Sequence, residues 1–575
     1  MGYMEEYGHW LNSGRLTDDE RAELLALSGD EKEIESRFCM QLEFGTAGLR
    51  GVMGMGINRM NIYVIRHATQ AFAEVIINEG KDAAKKGIAI SFDCRNGSSE
   101  FAKEAACVMA ANGIPSRLFD SLRPTPELSF AIREYGCIAG INITASHNPK
   151  EYNGYKVYWA DGAQLPPHHA AAIAKKMEEL DVFTSIKRMA YNEAVKSGLI
   201  TLIGAETDEK FLSHVMAQAN DMEVVKKVAD EFKMVYTPFH GTGYRLIPEA
   251  LRRLGMKHVI CVPEQMVIDG SFPTVKSPNP ENPEGFYLAV ALAREHGADF
   301  ILGSDPDADR VGIMVRNREG EYVTISGNQT GVLMLDYLIG AMKRRGALPE
   351  NAAVLKTIVT TEMARKVADV NGVKCYDTFT GFKFMAEKKN ELEESGEGKV
   401  IFSYEESYGY MLGDYVRDKD AVTAALVLTE MAAWYYSRGM TLYDAIGSLF
   451  EKYGFYQEKT LNLIMPGLDG LQKMKALMEN LRDNPLSEIA GVPVIVRKDY
   501  SDGTRICVKS GKSEKIELTG SNVLSYALSD GTTVIVRPSG TEPKIKVYVL
   551  TSGESIDACL KKIAGCAEWA EGLKR

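Results

Sequence analysis

The chain has 575 residues, 45% of them hydrophobic and 25% charged, and a formal net charge of −11 at pH 7. That length exceeds a single hydrophobic core and predicts roughly three to five globular domains. The acidic balance excludes nucleic acid or an anionic membrane as the main partner and leaves phosphate chemistry to local basic pockets.

Nine cysteines are scattered singly from Cys39 to Cys566 without a C-x-x-C, which excludes a disulfide framework or a compact zinc site and fits a reducing cytoplasm. The start, "MGYMEEYGHW", has no basic stretch followed by an apolar one, and Glu6 stands where a myristoylation signal needs Ser or Thr. No apolar run approaches membrane-spanning length, so a cytoplasmic enzyme is expected.

In chain order, residues 17–38 read as helix, opened by a capping box in which Thr17 caps and Glu20 reaches back. From residue 61 a long helix, the strand "GIAISFD", a helix from Ser98 to Asn112, a helix near Pro126 and a strand ending at Thr144 alternate. Such βα repetition predicts a parallel sheet covered by helices. The alternation restarts at "KMVYTPFHG" (233–241) and again after about 325 with "AAVLKTIV", "VKCYDTF" and "KVIFSY". Polar stretches near 205–230 and around "EKYGFYQEKT" read as joints. Beyond about 456 a helix, "LDGLQKMKALMENL", several alternating strands and a final helix predict a smaller α+β layer.

Three blocks share one device, an apolar strand running into a short polar signature: "AGINIT" into "ASHNP", "DFILG" into "SDPDADR", and "KVIFS" into "YEESYG". Ligands of open α/β sheets sit beyond the carboxyl ends of strands, so these ends could converge on one cleft. "SDPDADR" sets Asp305, Asp307 and Asp309 at alternate positions, three hard oxygen donors suited to Mg²⁺. A calcium loop needs Gly sixth and Glu twelfth, where this chain has Arg310 and Arg316. A solvated acidic turn is the plain alternative, disfavoured because carboxylates this close repel unless a cation joins them.

"VIVRPSGTEPKIKVY" (534–548) reads as strand, turn and strand. Ser539, Gly540 and Thr541 can offer N–H groups and hydroxyls to an anion, Arg537 can grip it bidentately, and Lys546 shares a strand face with Lys544. An ordinary hairpin with surface lysines is the competing reading. It is no Walker motif, since the only "GKS" has Ile506 in place of the leading Gly. "FGTAGLRG" (44–51) joins permissive glycines to Arg50, and Glu405 and Ser407 of "YEESYG" suit vicinal hydroxyls. Lys383 of "TGFKF" and Lys419 of "RDKD" are each compatible with a solvated surface, and His240 of "TPFHGTG" reads as a structural turn residue. No dinucleotide fingerprint is present.

In that order, "GTAGLRG", "TASHNP", "DPDADR", "EES" and "RPSGTEP" resemble the signatures of the α-D-phosphohexomutase family over essentially the whole chain. "TGFKF", "YEESYGYM" and "VRDKDA" are most similar to its bacterial α-phosphoglucomutase branch, near the phosphopentomutases. The resemblance implies an α/β protein of four domains around a central cleft: three related α/β domains with mixed or parallel sheets and a smaller α+β C-terminal domain. The expected boundaries are 1–206, 207–321, 322–455 and 456–575.

It further implies that Ser146 is carried as a phosphoserine beside Mg²⁺ held by Ser146, Asp305, Asp307 and Asp309, with Arg50, His147, Lys156 and Lys419 around the moving phosphoryl. Thr46, Arg310, Gly381, Lys383, Glu405 and Ser407 would contact substrate, and Arg537, Ser539, Gly540, Thr541 and Lys546 would cradle its phosphate. The implied reaction interconverts the 1- and 6-phosphates of a hexose through glucose 1,6-bisphosphate, intermediate and activator. "EES" favours glucose over mannose, while the pentomutase kinship admits pentose phosphates. Ala47, where many relatives have Ser, and Lys546, where some have Arg, are mild departures. The expected partner is a small phosphosugar, with no nucleic acid or membrane, and the oligomeric state is left open, a monomer included.

Overall fold

Strands covered on both faces need apolar side chains at every position, and the runs that feed the signatures have that character. The computed structural model describes residues 2–465, 470–539 and 544–574. The chain divides into two compact units, Met1–Ser326 with Ser407–Thr441, and Gly327–Glu406 with Leu442–Arg575.

The first unit holds two mixed sheets. One contains β1 (Leu49–Val52), β2 (Ile88–Phe92), β3 (Ser116–Phe119), β4 (Ala139–Ile143), β5 (Tyr152–Trp159) and β6 (Ile200–Ile203) in the order β1-β5-β4-β2-β3-β6. β2, β3, β4 and β6 are parallel neighbours, and β5 returns antiparallel to β4. The other contains β7 (Lys233–Thr237), β8 (His258–Cys261), β9 (Phe300–Ser304), β10 (Val311–Arg316) and β11 (Tyr322–Ile325) in the order β11-β10-β9-β7-β8. Here too β7 lies parallel to β8 and β9, and β10 returns antiparallel to β9. β2, β4 and β9 are buried at every residue, as their uninterrupted apolar runs predict.

In the second unit β12 (Ala352–Thr357) lies between β13 (Lys374–Thr378) and β14 (Lys399–Glu405), parallel to both. The short β15 (Gly409–Met411) belongs to the first unit, where Gly409 bridges Arg310. The C-terminal sheet is built from β16 (Phe455–Ile464), β17 (Glu488–Ile489), β18 (Val492–Asp499), β19 (Thr504–Cys507), β20 (Ser513–Lys515), β21 (Leu524–Leu528), β22 (Thr533–Pro538) and β23 (Lys544–Gly553). Its order is β16-β23-β22-β21-β18-β19-β20, with β17 paired to β18. Period-two alternation splits its apolar residues between two faces. Val534, Val536, Val547 and Val549 meet the helices Gly470–Asp483 and Ile556–Gly572 through Met478, Leu481 and Ile563. Ile535, Tyr548 and Leu550 meet Ile358, Val359 and Phe379 of the β12–β13 layer.

Three local expectations change. The helix expected over 17–38 has its capping box on Thr17 and Glu20, but it is two helices, Asp18–Leu25 and Glu31–Phe38, parted by a turn in which Gly29 has φ +93°. The polar stretch 205–230 is not a joint but two helices, Ala205–Met216 and Met222–Val228, which bury Phe211, Leu212, Val215, Val224 and Val225 as a narrow apolar stripe. Within "EKYGFYQEKT" only Gly454, at φ +100°, is a joint, and β16 starts at the next residue.

β16 carries a charge into its seam with the β12 layer. Burial pushes the Glu458 carboxyl up to about 7, against hydrogen bonds from Thr361 and Asn328 and attraction from Lys356. Between its ordinary value of 4.5 and about 7 the folded chain therefore binds more protons than the unfolded one, so stability falls as pH rises through that window. Glu458→Gln, neutral throughout, removes the penalty: the Tm of the variant minus that of the parent is expected to grow from about pH 5 to about pH 8, and a difference that does not vary with pH would contradict the assignment.

Candidate active site

Ser146 stands where β4 has ended and the chain turns back into β5. It is 3% exposed and its φ is +52°, a left-handed conformation that a non-glycine residue adopts at a cost of roughly 1–2 kcal/mol. Its neighbours impose that conformation. The Ser146 N–H donates to Thr144 Oγ1 at 2.8 Å, and the Thr144 hydroxyl donates to Asp93 Oδ2 at 2.6 Å. Arg95, 3% exposed and ion-paired to Asp93 at 3.2 Å, donates to the carbonyls of Ser146 (2.6 Å), Pro149 (2.8 Å), Tyr152 (3.0 Å) and Asn148 (2.5 Å). One guanidinium thus clamps the whole loop.

The Ser146 hydroxyl donates to Asp305 Oδ2 at 2.9 Å, and His147 Nδ1 lies 3.3 Å from the same Oγ. Arg50 reaches the loop through Asn148 Oδ1 at 3.0 Å. It sits on β1, placed by the turn before it: Gly48 has φ +81°, and a Cβ there would fall 1.8 Å from the Tyr155 carbonyl oxygen, so only glycine fits.

Asp305, Asp307 and Asp309 occupy the turn from β9 into β10, and one carboxylate oxygen from each lies within 4.8 Å of the others. Asp305 Oδ1 accepts the backbone N–H groups of Asp309 (3.1 Å) and Arg310 (2.9 Å). Lys156 Nζ is 2.6 Å from Asp307 Oδ2 and 3.2 Å from Asp309 Oδ2, and Lys419 Nζ is 3.2 Å from Asp309 Oδ2. Asp418 orients Lys419 at 3.1 Å and is itself held by the Tyr158 hydroxyl at 2.9 Å. What remains is informative. Among the described residues Asp307 Oδ1 and Asp309 Oδ1 are buried without a hydrogen-bond partner, which a buried carboxylate oxygen tolerates poorly. One oxygen from each of the three carboxylates makes a set of hard donors that fits a small divalent cation such as Mg²⁺.

Electrostatics follow from this packing. Burial, then Asp307 and Asp309, push the Asp305 carboxyl well above its ordinary range. Burial acts the same way on Asp307 and Asp309, but Lys156 with the Thr125 hydroxyl holds Asp307 low, and Lys156, Lys419 and Arg310 together hold Asp309 low against burial and Asp307. Burial pulls the His147 imidazole well down, and Arg310 and Arg50 add to the effect, so His147 is neutral.

The acidic turn is braced from β7. A Cβ on Gly241 would fall 2.4 Å from Pro306 Cα, and the Thr242 N–H donates to the Pro306 carbonyl at 2.8 Å. His240 spends both ring nitrogens on Val267 O (2.7 Å) and Thr274 Oγ1 (2.8 Å), in keeping with the structural role expected of it. Arg310 bonds Glu281 at 2.8 Å, Thr46 lies in the turn before β1, and Ser407 precedes the left-handed Tyr408.

In the second unit, Glu405 at the end of β14 accepts the Gly381 N–H at 2.5 Å, tying "YEES" to "TGFKF". Glu406 turns away, accepting the hydroxyls of Thr357 and Thr360, each at 3.3 Å. Burial pulls the Lys383 ammonium down against the attraction of Glu387, and Arg537 adds to the effect. Arg537 stands directly across from Lys546 in the β22–β23 ladder, and Ser539 donates its N–H to the Lys544 carbonyl at 2.8 Å. Like charges facing each other on a strand pair repel, and a bound anion relieves that repulsion. Gly540 and Thr541 lie outside the described residues.

Sequence reasoning missed Asp93, Arg95, Thr125, Asn142 and Asp418. The only trace of the first two was the polar run "DCRNGS" after an apolar strand, and the others are single polar residues inside apolar or charged segments. Arg95→Lys keeps the charge but loses the fork that reaches four carbonyls. The variant is expected to cost about 2–3 kcal/mol and to speed amide exchange in residues 146–152, read by hydrogen–deuterium exchange. Unchanged exchange there would refute the clamp.

Four consecutive segments match the domain descriptions of the phosphoglucomutase/phosphomannomutase family: α/β/α domain I at 41–182, domain II at 209–320, domain III at 326–453 and the C-terminal domain at 461–564. A phosphoglucomutase of Staphylococcus haemolyticus is 35% identical over 515 residues, covering 90% of this chain and 91% of the relative. One of Staphylococcus aureus strain N315 is 34% identical over 541 residues, covering 93% and 94%. Among solved structures, parafusin, a phosphoglucomutase of Paramecium, superposes with a TM-score of 0.67 at 18% identity over 92% of this chain and 96% of its own. A phosphoglucomutase/phosphomannomutase family protein of Burkholderia thailandensis gives 0.65 at 17% identity over 92% and 97%.

Proposed function

The chain belongs to the phosphoglucomutase/phosphomannomutase family, and on that premise we propose that it interconverts α-D-glucose 1-phosphate and glucose 6-phosphate. The observation that carries the reading is the Ser146 hydroxyl, fixed 2.9 Å from Asp305 Oδ2 at the mouth of a buried three-carboxylate cluster. A hydroxyl so placed need not be activated from scratch by a triad. It serves instead as the carrier of a phosphoryl group, and the resting enzyme is the phosphoserine form.

In the first half-reaction the free sugar hydroxyl attacks phosphorus, the bond from phosphorus to Ser146 Oγ breaks, and the proton of the attacking hydroxyl ends on the released Ser146 Oγ. The bisphosphate turns over, Ser146 Oγ recovers the other phosphoryl, and the serine proton ends on the released sugar oxygen. Arg50, His147, Lys156 and Lys419 act as charge stabilisers and proton-transfer partners, and His147 is the one held neutral. Positioning and charge stabilisation are what phosphoryl transfer demands of a protein. Asp305, Asp307, Asp309 and the phosphorylated Ser146 would hold Mg²⁺, which neutralises part of the phosphoryl charge.

Thr46, Arg310, Gly381, Lys383, Glu405 and Ser407 bind the sugar in either orientation. Arg537, Ser539, Gly540, Thr541 and Lys546 bind the phosphate that is not being transferred. Glucose 1,6-bisphosphate is both intermediate and activator, the domains run 1–206, 207–321, 322–455 and 456–575, and the enzyme works in the cytoplasm. Among the described residues no helix is long and apolar enough to cross a membrane.

The test is turnover of glucose, mannose and ribose 1-phosphates side by side, with Mg²⁺ and a trace of glucose 1,6-bisphosphate. Glucose 6-phosphate should form, glucose should be the fastest of the three, and Ser146→Ala should lower turnover by more than about 10³-fold. Free phosphate without glucose 6-phosphate would make the protein a hydrolase, and phosphosugar binding without turnover would make it a binding protein.

A further inference from the structure

The two oxygens of Asp307 are used unequally. Oδ2 accepts Lys156 Nζ at 2.6 Å and the Thr125 hydroxyl at 2.7 Å, while Oδ1 is buried with no hydrogen-bond partner among the described residues. Thr125 begins the helix Thr125–Glu134, is fully buried, and also donates its backbone N–H to the Asp307 carbonyl at 2.8 Å. Main chain and side chain of one threonine thus bind main chain and side chain of one aspartate.

A hydroxyl has one proton to give, and here it goes to the carboxylate, so the remaining contact of Thr125 must be with a donor. Asn142 supplies it, its Nδ2 lying 2.7 Å from Thr125 Oγ1. Asn142 stands directly across from Lys156 on the β4–β5 ladder. Two adjacent strand positions therefore address the same carboxylate oxygen, one directly and the other through Thr125.

We propose that Thr125, oriented by Asn142, is a positioning residue for Asp307: it pins Oδ2 so that Oδ1 faces the divalent cation. The inference rests on reading Asp305, Asp307 and Asp309 as a cation site. Outer partners that orient a ligand in this way are each typically worth 10- to 100-fold in metal affinity.

The test titrates full-length protein with Mn²⁺ and reads free Mn²⁺ by electron paramagnetic resonance, independently of turnover. Asp307→Asn locates the site by weakening Mn²⁺ binding. Thr125→Val, which keeps the shape and removes the hydroxyl, is expected to weaken binding by about 10-fold or more, Thr125→Ser to restore it, and Asn142→Ala to fall between. Parent affinity in Thr125→Val, with binding still lost in Asp307→Asn, overturns the inference and leaves the cation site standing. No Mn²⁺ binding by the parent, or binding indifferent to Asp307→Asn, overturns both. If Thr125→Val does not fold, Asn142→Ala carries the test, and parent affinity in that variant overturns the inference.

Discussion

Three carboxylates enclosed within 4.8 Å of one another are the constraint on which the rest of the first unit turns. At an effective dielectric near 20, each like-charged pair at that distance costs roughly 3–4 kcal/mol, which the cations built around the cluster offset. Lys156 and Lys419 answer two of the three charges. The third, at Asp305, is where the Ser146 hydroxyl points. A phosphoryl group on that serine would bring a further charge of roughly −1.5 to −2, and a divalent cation there would offset the repulsion. Serine, acidic triad and paired lysines form one electrostatic unit.

The scaffold produces that unit by repetition. In each of three sheets a central strand lies between two parallel partners, and an oxygen at its end accepts the N–H two residues on: Asp93 Oδ1 from Arg95 (2.9 Å), Thr237 Oγ1 from Phe239 (3.1 Å) and Thr357 Oγ1 from Val359 (3.3 Å). The signatures follow the neighbouring strand each time, Ser146 after β4, the aspartates after β9 and Glu405 at the end of β14. What recurs is an acceptor atom at a strand end, supplied here by Asp and there by Thr. Chemistry repeats while identity does not.

Much of this was legible in the sequence because burial writes itself in uninterrupted apolar runs, and crowded charge writes itself in patterns such as "DPDADR". β2, β4, β9, β12, β13 and β14 fall on the runs that predicted them. Amphipathic surface helices misled the reading of 205–230, since their charged faces dominate the composition and the stripe of Phe211, Leu212 and Val215 is narrow. The supporting shell was illegible for a different reason. Arg95 reaches Ser146 across 51 positions, Thr125 reaches Asp307 across 182, and Asn142 reaches Thr125 across 17, and one polar residue in an apolar strand carries no periodicity. The candidate site could be named from its motifs, but what holds it in place could be found only in three dimensions.

The central claim is that a phosphoryl group resides on Ser146 and is lent to the sugar. Its most direct measurement is to treat the protein with glucose 1,6-bisphosphate carrying labelled phosphate, locate the label by peptide mass mapping, and chase with unlabelled glucose 1-phosphate. The account predicts label on the peptide containing Ser146 and its passage into sugar phosphate during the chase. Label on another residue, or turnover with no label on the protein, would contradict it.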